Sequence, residues 1–386
     1  MAHKERFTFI FANCAGGARG ETCNPKKLGE VIRAYVDSEG LGPVVAIGLS
    51  EVIVSAADNV GRSIPTSALS TVRMNPCLPL SPLLPFDDLS AFQEGYKPGN
   101  AERYYLAHVN SRDHCHLEAI RNKWSKIPRL AREHGAGRDV YQGTAALVLR
   151  PFQCEAAEGI PLRPAGDDPL SAIADDPLAY RGNRDTEPRA ALILRKIRLT
   201  DDLSVDLCFC QIETHTADPR IGTWEALERS PGTEHRLTQL RMLNEHLSLQ
   251  SEHPTVVLGD FNARPGAKEL EQFCSHGFRY VLPKVPPRRA RTLKVFNSAD
   301  ICAPWPERSE RDQWPYTHLK HGIFIDHAFL RALDDNRWDG ELRLLNLPGE
   351  ERDGDRVSDH RPIALTICPR DAVDSKEPVL NQENLT

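Results

Sequence analysis

The sequence of 386 residues lacks long apolar runs, since no stretch approaches the ~18 consecutive apolar residues that a membrane-spanning helix needs. Its first residues, MAHKERFTFIF, also lack the apolar segment and the small-residue cleavage site of a secretory signal. We therefore expect no stable membrane insertion and a cytoplasmic protein.

A disulfide framework and a strong positive charge are missing as well. The ten cysteines are scattered from Cys14 to Cys368 without a C-x-x-C pair, and we expect all of them to be reduced. Lys and Arg number 48 against 54 Asp and Glu, which gives a net charge of −6. This balance excludes a protein coated wholly in positive charge, but it leaves room for a local basic groove.

Apolar runs typical of buried strands recur along the whole chain, at 7–13, 44–51, 104–110, 144–150, 188–199, 203–214, 255–262, 322–330, 341–347 and 361–368. Helical patterns lie between them, beginning at Pro25, over 112–133, over 233–247 and after Gly266. At least nine strands with interleaved helices predict an α/β or α+β sandwich.

No linker rich in proline, glycine and serine separates the strands into two self-sufficient groups. We therefore expect a single domain over residues 1–370, with loop insertions near 52–100, 151–187 and 279–321. The polar tail, residues 371–386, is expected to be disordered.

Polar residues stand where several of these strands end. Asp260 and Asn262 close the run TVVLGDFN, and their spacing of two places both side chains on one side of an extended chain. A carboxylate and an amide at a strand end can hold a reactive water and a phosphate oxygen. The same residues are also common in ordinary turns, so this motif alone is weak evidence.

Two acidic residues next to histidines add to this pattern. Asp359 and His360 immediately precede the last strand and offer a metal ligand beside a proton-transfer group. Asp326 lies in the apolar run GIFIDHAFL, where a buried carboxylate is costly without a partner. A histidine brought near by the fold would supply that partner.

Asn13, Glu51 and His215 end three further strands. Taken singly, they have ordinary interpretations: a turn former, a solvated charge and a structural histidine. Taken together with the motifs above, they lie where a sheet-based active site would place its side chains.

In this order, the set resembles the endonuclease/exonuclease/phosphatase superfamily with the DNase I-like fold. The resemblance implies a four-layer α/β/β/α sandwich of two mixed β-sheets flanked by helices. It also implies hydrolysis of a phosphoester with Mg²⁺, for which Mn²⁺ could substitute.

The resemblance implies a role for each residue. Glu51 would be the main metal ligand, assisted by Asn13 and Asp359. The remaining residues would be catalytic: His215 would stabilise the phosphate or act as an acid, Asp260 and Asn262 would orient the nucleophile, and His360 would be held by Asp326. Whether Asp260 or the Asp326–His360 pair is the general base stays open.

Two positions depart from the family pattern. Glu213 stands where an asparagine is often found, and His327 stands where a tyrosine commonly follows the aspartate. The phosphate-binding arginine of the family corresponds to Arg189, with Arg184 as the alternative.

The stretch KVPPRRARTLK, residues 284–294, carries the basic residues Arg288, Arg289 and Arg291. It is either a clamp for a nucleic-acid backbone or a solvated basic loop. On the first interpretation the protein is a nuclease acting on DNA or RNA. The alternative keeps the chemistry but uses a small phosphoester, such as an inositol phosphate, a nucleotide or a phospholipid headgroup.

Overall fold

The computed structural model describes residues 6–14, 24–38, 41–56, 72–74, 86–99, 101–110, 139–162, 189–212, 231–250, 253–283, 317–318, 324–334, 337–347 and 357–370. The strands within these ranges are β1 (Phe7–Asn13), β2 (Val44–Ala56), β3 (Val72–Met74), β4 (Phe86–Asp87), β5 (Ala101–Asn110), β6 (Asp139–Leu149), β7 (Ala156–Leu162), β8 (Arg189–Arg198), β9 (Ser204–Gln211), β10 (Thr255–Asp260), β11 (Arg279–Val281), β12 (Asp326–Arg331), β13 (Trp338–Leu344) and β14 (Ile363–Pro369). The helices are α1 (Pro25–Ser38), α2 (Asp88–Tyr96), α3 (Pro231–Gln250) and α4 (Lys268–Ser275).

These strands form two mixed sheets. The first has the order β13-β14-β1-β2-β6-β5-β3, with β4 paired to β2, and the second has the order β11-β12-β10-β9-β8-β7. Each sheet contains one parallel pair among its antiparallel ones, β1 with β2 in the first and β9 with β10 in the second. Both pairs are central in their sheets, where near-continuous apolar runs are expected.

The two sheets pack face to face through large apolar side chains. Phe11 of β1 and Phe209 of β9 stack with ring centroids 6.4 Å apart. A Cβ atom added at Gly48 of β2 would lie 2.1 Å from the ring of Phe209, so only glycine allows this close approach.

Helices cover the outer face of each sheet. Leu28 of α1 and Phe92 of α2 belong to one buried cluster with Ile47 of β2, whereas Leu243 of α3 and Phe273 of α4 belong to the cluster that contains the second sheet. The four-layer sandwich implied by the resemblance is thereby confirmed. None of the helices described is both long and apolar enough to cross a membrane.

Some of the expected loops contain regular structure. The segment 52–100 is not irregular throughout, because β2 continues to Ala56 and α2 spans Asp88–Tyr96. In α2 the buried residues Leu89, Phe92 and Tyr96 share one face, a short helical pattern that the proline-rich run before it obscured. The segments 151–187 and 279–321 likewise contain β7 and β11.

Two expected features lie outside the described residues: the helix over 112–133 and the tail 371–386.

Candidate active site

Strand register brings three polar residues into one row across the second sheet. Asp260 is opposite Gln211 on the parallel strand β9 and opposite Asp326 on the antiparallel strand β12. Directly opposed residues project to the same face of a sheet, so these side chains are neighbours although far apart in sequence. All three are at most 2% exposed.

Asp260 connects this row to the first sheet. Its Oδ2 accepts a hydrogen bond of 3.2 Å from Asn13 Nδ2 at the end of β1, and its Oδ1 accepts one of 3.0 Å from the backbone N–H of Asn262. Asn262 has a φ of 47°, a left-handed conformation that asparagine tolerates, and its Nδ2 donates to the carbonyl of Ile212 at 3.0 Å. The G-D-F-N segment therefore forms a turn whose polar groups are held from both sides.

The surroundings of Asp260 disfavour its negative charge. Burial, reinforced by the charge of Asp326, raises the pKa of Asp260 to about 7, although the charge of His360 and the N–H of Asn262 act in the opposite direction. A carboxylate with such a pKa is ionised in part of the molecules at neutral pH and can accept a proton.

Asp326 and His360 are in direct contact. The Nδ1–H of His360 donates a hydrogen bond of 2.8 Å to Asp326 Oδ2, so Nε2 is the ring nitrogen left for chemistry. Burial alone would lower the pKa of His360, but the charge and hydrogen bond of Asp326, with Asp359 and Asp260 nearby, raise it well above its usual range. The arrangement favours the imidazolium.

Thr317 fixes the position of Asp326. Its Oγ1 accepts hydrogen bonds from the backbone N–H groups of Ile325 and Asp326, at 3.0 and 3.1 Å. Its carbonyl accepts a bond of 2.7 Å from the N–H of Arg361, next to His360. One buried threonine thus holds both sides of the Asp326–His360 pair.

Ser358 links His360 to the end of β1 in the first sheet. Its Oγ donates to the carbonyl of Asn13 at 2.6 Å and accepts from the N–H of His360 at 3.1 Å. The S-D-H segment is therefore attached to the end of β1.

A β-bulge in β2 sets the direction of the Glu51 side chain. The register between β2 and β6 shifts between Leu49 and Val52, and Glu51 has a φ of 52°. Bulges re-aim side chains, and a non-glycine residue in this conformation costs about 1–3 kcal/mol, so the surroundings must hold it. Gln211 Nε2 donates to Glu51 Oε1 at 2.8 Å.

Arg189 lies behind this contact. It is 3% exposed, and its Nη1 donates to Gln211 Oε1 at 3.4 Å. The structure thus connects the expected phosphate-binding arginine to Glu51 through Gln211.

The residues that the resemblance implies as metal ligands carry the donor atoms that a hard divalent cation needs. Glu51, Asn13 and Asp359 offer oxygen ligands, which Mg²⁺ and Mn²⁺ prefer. Asp359 Oδ1 is buried and has no hydrogen-bond partner within the part of the chain that the structure describes.

Five expected site residues lie outside the described ranges: His215, Arg184, Arg288, Arg289 and Arg291. The structure, in turn, places residues at the site that the sequence motifs did not include, namely Gln211, Thr317 and His318.

His327 supports the site from within the core. Its Nε2 donates to the carbonyl of Ala263 at 2.7 Å, and its Nδ1 accepts from the hydroxyl of Tyr280 at 2.8 Å. Burial lowers the pKa of His327 to about 4, so the ring is neutral at neutral pH. Because Ala263 follows Asn262, this histidine anchors the turn that holds Asp260.

Replacing His327 with phenylalanine is expected to destabilise the protein by about 2–6 kcal/mol. The hydroxyl of Tyr280 and the carbonyl of Ala263 would each lose a partner, at roughly 1–3 kcal/mol per buried group. Chemical unfolding of wild type and His327→Phe measures this difference, with the exposed His276→Phe as the control. A loss below about 1 kcal/mol would contradict the role assigned to His327.

A sequence model of the Endonuclease/Exonuclease/phosphatase family matches residues 10–360. The match spans nearly the whole chain and includes most of the polar groups described above. The chain belongs to this family, and the protein is a phosphoester hydrolase.

Solved structures with a similar fold come from several sources. The human Nocturnin catalytic domain with bound sulfate aligns over 95% of this chain and 95% of its own, with 13% identity and a TM-score of 0.49. Humanized D. rerio TDP2 aligns over 94% and 98%, with 12% identity and a TM-score of 0.45. A mannosyl-6-phosphatase from Bacteroides thetaiotaomicron aligns over 94% and 99%, with 12% identity and a TM-score of 0.44. A search of curated protein sequences gives no significant match.

Proposed function

We propose that this phosphoester hydrolase is a Mg²⁺-dependent nuclease that cleaves phosphodiester bonds of DNA or RNA, in the cytoplasm. The observation that supports the chemistry is the meeting of Asp260, the Asp326–His360 pair and Glu51 at one end of the two sheets. This arrangement combines a proton acceptor, an imidazolium and a carboxylate ligand for a cation.

Glu51, Asn13 and Asp359 would hold the metal. A bound Mg²⁺ or Mn²⁺ supplies charge neutralisation and polarises a phosphoryl oxygen, which an anionic phosphodiester needs before water can attack. Gln211 keeps Glu51 in place through the 2.8 Å hydrogen bond.

Two side chains would carry the proton transfers, Asp260 as the acceptor and His360 as the donor. Asp260, with its raised pKa, orients the attacking water and accepts its proton, while Asn262 is placed beside it by the turn. His360, kept cationic by Asp326, donates from Nε2 to the phosphate as negative charge develops. On this assignment Asp260 is the general base. His215 is proposed as a further phosphate contact on the strength of its motif.

The chain connectivity supports a nucleic-acid substrate. The basic stretch 284–294 follows β11, and the chain returns to the site at Thr317, beside Asp326. Arg288, Arg289 and Arg291 would contact the phosphate backbone from this insertion, and Arg184 from the one before β8. The net charge of −6 favours the alternative, a small phosphoester.

A substrate panel separates the two candidates. Single-stranded, duplex and abasic DNA and RNA would be incubated with the protein and Mg²⁺, with EDTA as the control, in parallel with small phosphate esters. We expect cleavage of at least one nucleic acid that EDTA abolishes. Hydrolysis of small esters alone, at micromolar enzyme, would overturn the nuclease proposal and establish the alternative.

The pKa of Asp260 gives a pH prediction. Because burial and Asp326 disfavour its charge, Asp260 should titrate near pH 7 in the metal-free protein. When kcat/KM is measured over a range of pH, it should fall as the pH drops below about 7, because Asp260 becomes protonated and can no longer accept a proton. Carbon-13 NMR of labelled aspartate carboxyls, with Asp260→Asn to assign the signal, measures this. Titration near pH 4, as for an exposed aspartate, would contradict the electrostatics described here.

A further inference from the structure

His318 lies against the catalytic pair. Its ring meets that of His360 edge to face, with centroids 4.7 Å apart and planes at 61°. An isolated antiparallel β-bridge between the two residues fixes their backbones side by side. Nothing in the proposed hydrolysis uses this second imidazole.

With Asp359, the two histidines form a compact set of metal ligands. Each of the three side chains offers one ligand atom, and these atoms all lie within 4.8 Å of one another. His360 donates from Nδ1 to Asp326, an arrangement that typically orients a histidine whose other nitrogen binds zinc. Asp359 Oδ1 is buried without a hydrogen-bond partner in the described part of the chain.

The donor types select the ion. Two imidazole nitrogens and one carboxylate oxygen are a common set for Zn²⁺, whereas Mg²⁺ prefers oxygen ligands alone. Zinc bonds of about 2.0–2.2 Å in a tetrahedron place ligand atoms about 3.4 Å apart. Because the ligand atoms here lie within 4.8 Å of one another, each pair must approach by at most about 1.4 Å to reach that geometry.

We propose that His318, Asp359 and His360 form an inhibitory zinc site. Zn²⁺ bound there displaces the Nε2 proton of His360 to solvent and occupies the nitrogen that the proposed mechanism uses as a proton donor. It also takes Asp359 from the Mg²⁺ ligands. The inhibition rests on the proposed function, whereas the binding of zinc does not. His318 therefore gives this hydrolase a response to zinc that its Mg²⁺ ligands alone would not provide.

Metal binding is tested with the full chain and the metal alone. Zn²⁺ calorimetry and the visible absorption of Co²⁺ would be measured for wild type, His318→Asn, His318→Gln and, as a matched control, the exposed His276→Asn. We expect one site in wild type and in the control, and affinity lowered by about 10–100-fold or more in both His318 variants. Equal affinity in a folded His318 variant, or the absorption of cobalt–thiolate ligation, would overturn the site.

Inhibition is tested on Mg²⁺-supported hydrolysis. Zn²⁺ should inhibit wild type, and the inhibitory concentration, measured relative to the zinc-free activity of each protein, should rise about tenfold or more in His318→Asn. Zinc binding without inhibition of an active enzyme would refute the inhibitory role. If wild type hydrolyses no phosphoester, the proposed function fails, and the calorimetry still decides the zinc site.

Discussion

The double variant Asp326→Asn/His360→Ala is expected to be hardly slower than either single variant. Each single change should lower kcat by about two to four orders of magnitude, by analogy with other aspartate–histidine pairs. Asp326→Asn leaves a partner that stabilises the wrong tautomer and no longer favours the imidazolium, and His360→Ala removes the ring itself. Because the two residues act as one unit through their 2.8 Å contact, their losses should not multiply.

The measurement is kcat for the two single variants, the double variant and wild type under the same saturating Mg²⁺. Asp339→Asn, on β13 and paired with Arg279, is a matched control that should keep wild-type activity. Multiplicative losses in the double variant would mean that the two residues work independently.

Glu51→Gln is expected to lower activity by about 100- to 1,000-fold or more, because the metal loses its main anionic ligand. The amide is nearly isosteric with the carboxylate, and its oxygen can still accept the hydrogen bond from Gln211 Nε2. The free energy of unfolding should therefore change little, which separates loss of the metal from loss of the fold.

Activity as a function of Mg²⁺ concentration tests this, together with chemical unfolding. Glu155→Gln, an exposed glutamate paired with Lys196, is the control. Wild-type activity of Glu51→Gln at sub-millimolar Mg²⁺ would show that Glu51 is not the ligand.

The sequence predicted the central strands because their local composition is mostly apolar. Runs such as FTFIFAN and TVVLGD are mostly apolar, and every residue in them is buried, as in central strands covered on both faces. The apolar run GIFIDHAFL also predicted that Asp326 has a partner, because an aspartate buried in such a run is costly when it is unpaired. The resemblance then indicated His360 as that partner.

Residues whose importance depends on the register between distant strands could not be predicted. Gln211 of β9 reaches Glu51 of β2 only because the two sheets pack face to face. Thr317 belongs to a proline- and arginine-rich stretch with no periodic pattern, yet it holds Asp326. His327 was visible only as a departure from the family pattern, because its partner Tyr280 is far away in sequence.

The central claim is that Asp260 and the Asp326–His360 pair, with a metal held by Glu51, hydrolyse a phosphodiester. The most direct measurement is the rate of hydrolysis of a chromogenic phosphodiester by wild type, Asp260→Asn and His360→Ala over a titration of Mg²⁺. We predict turnover by wild type that rises with Mg²⁺, disappears with EDTA and falls at least about 100-fold in both variants. Turnover that is independent of Mg²⁺, or that survives unchanged in either variant, would contradict the account.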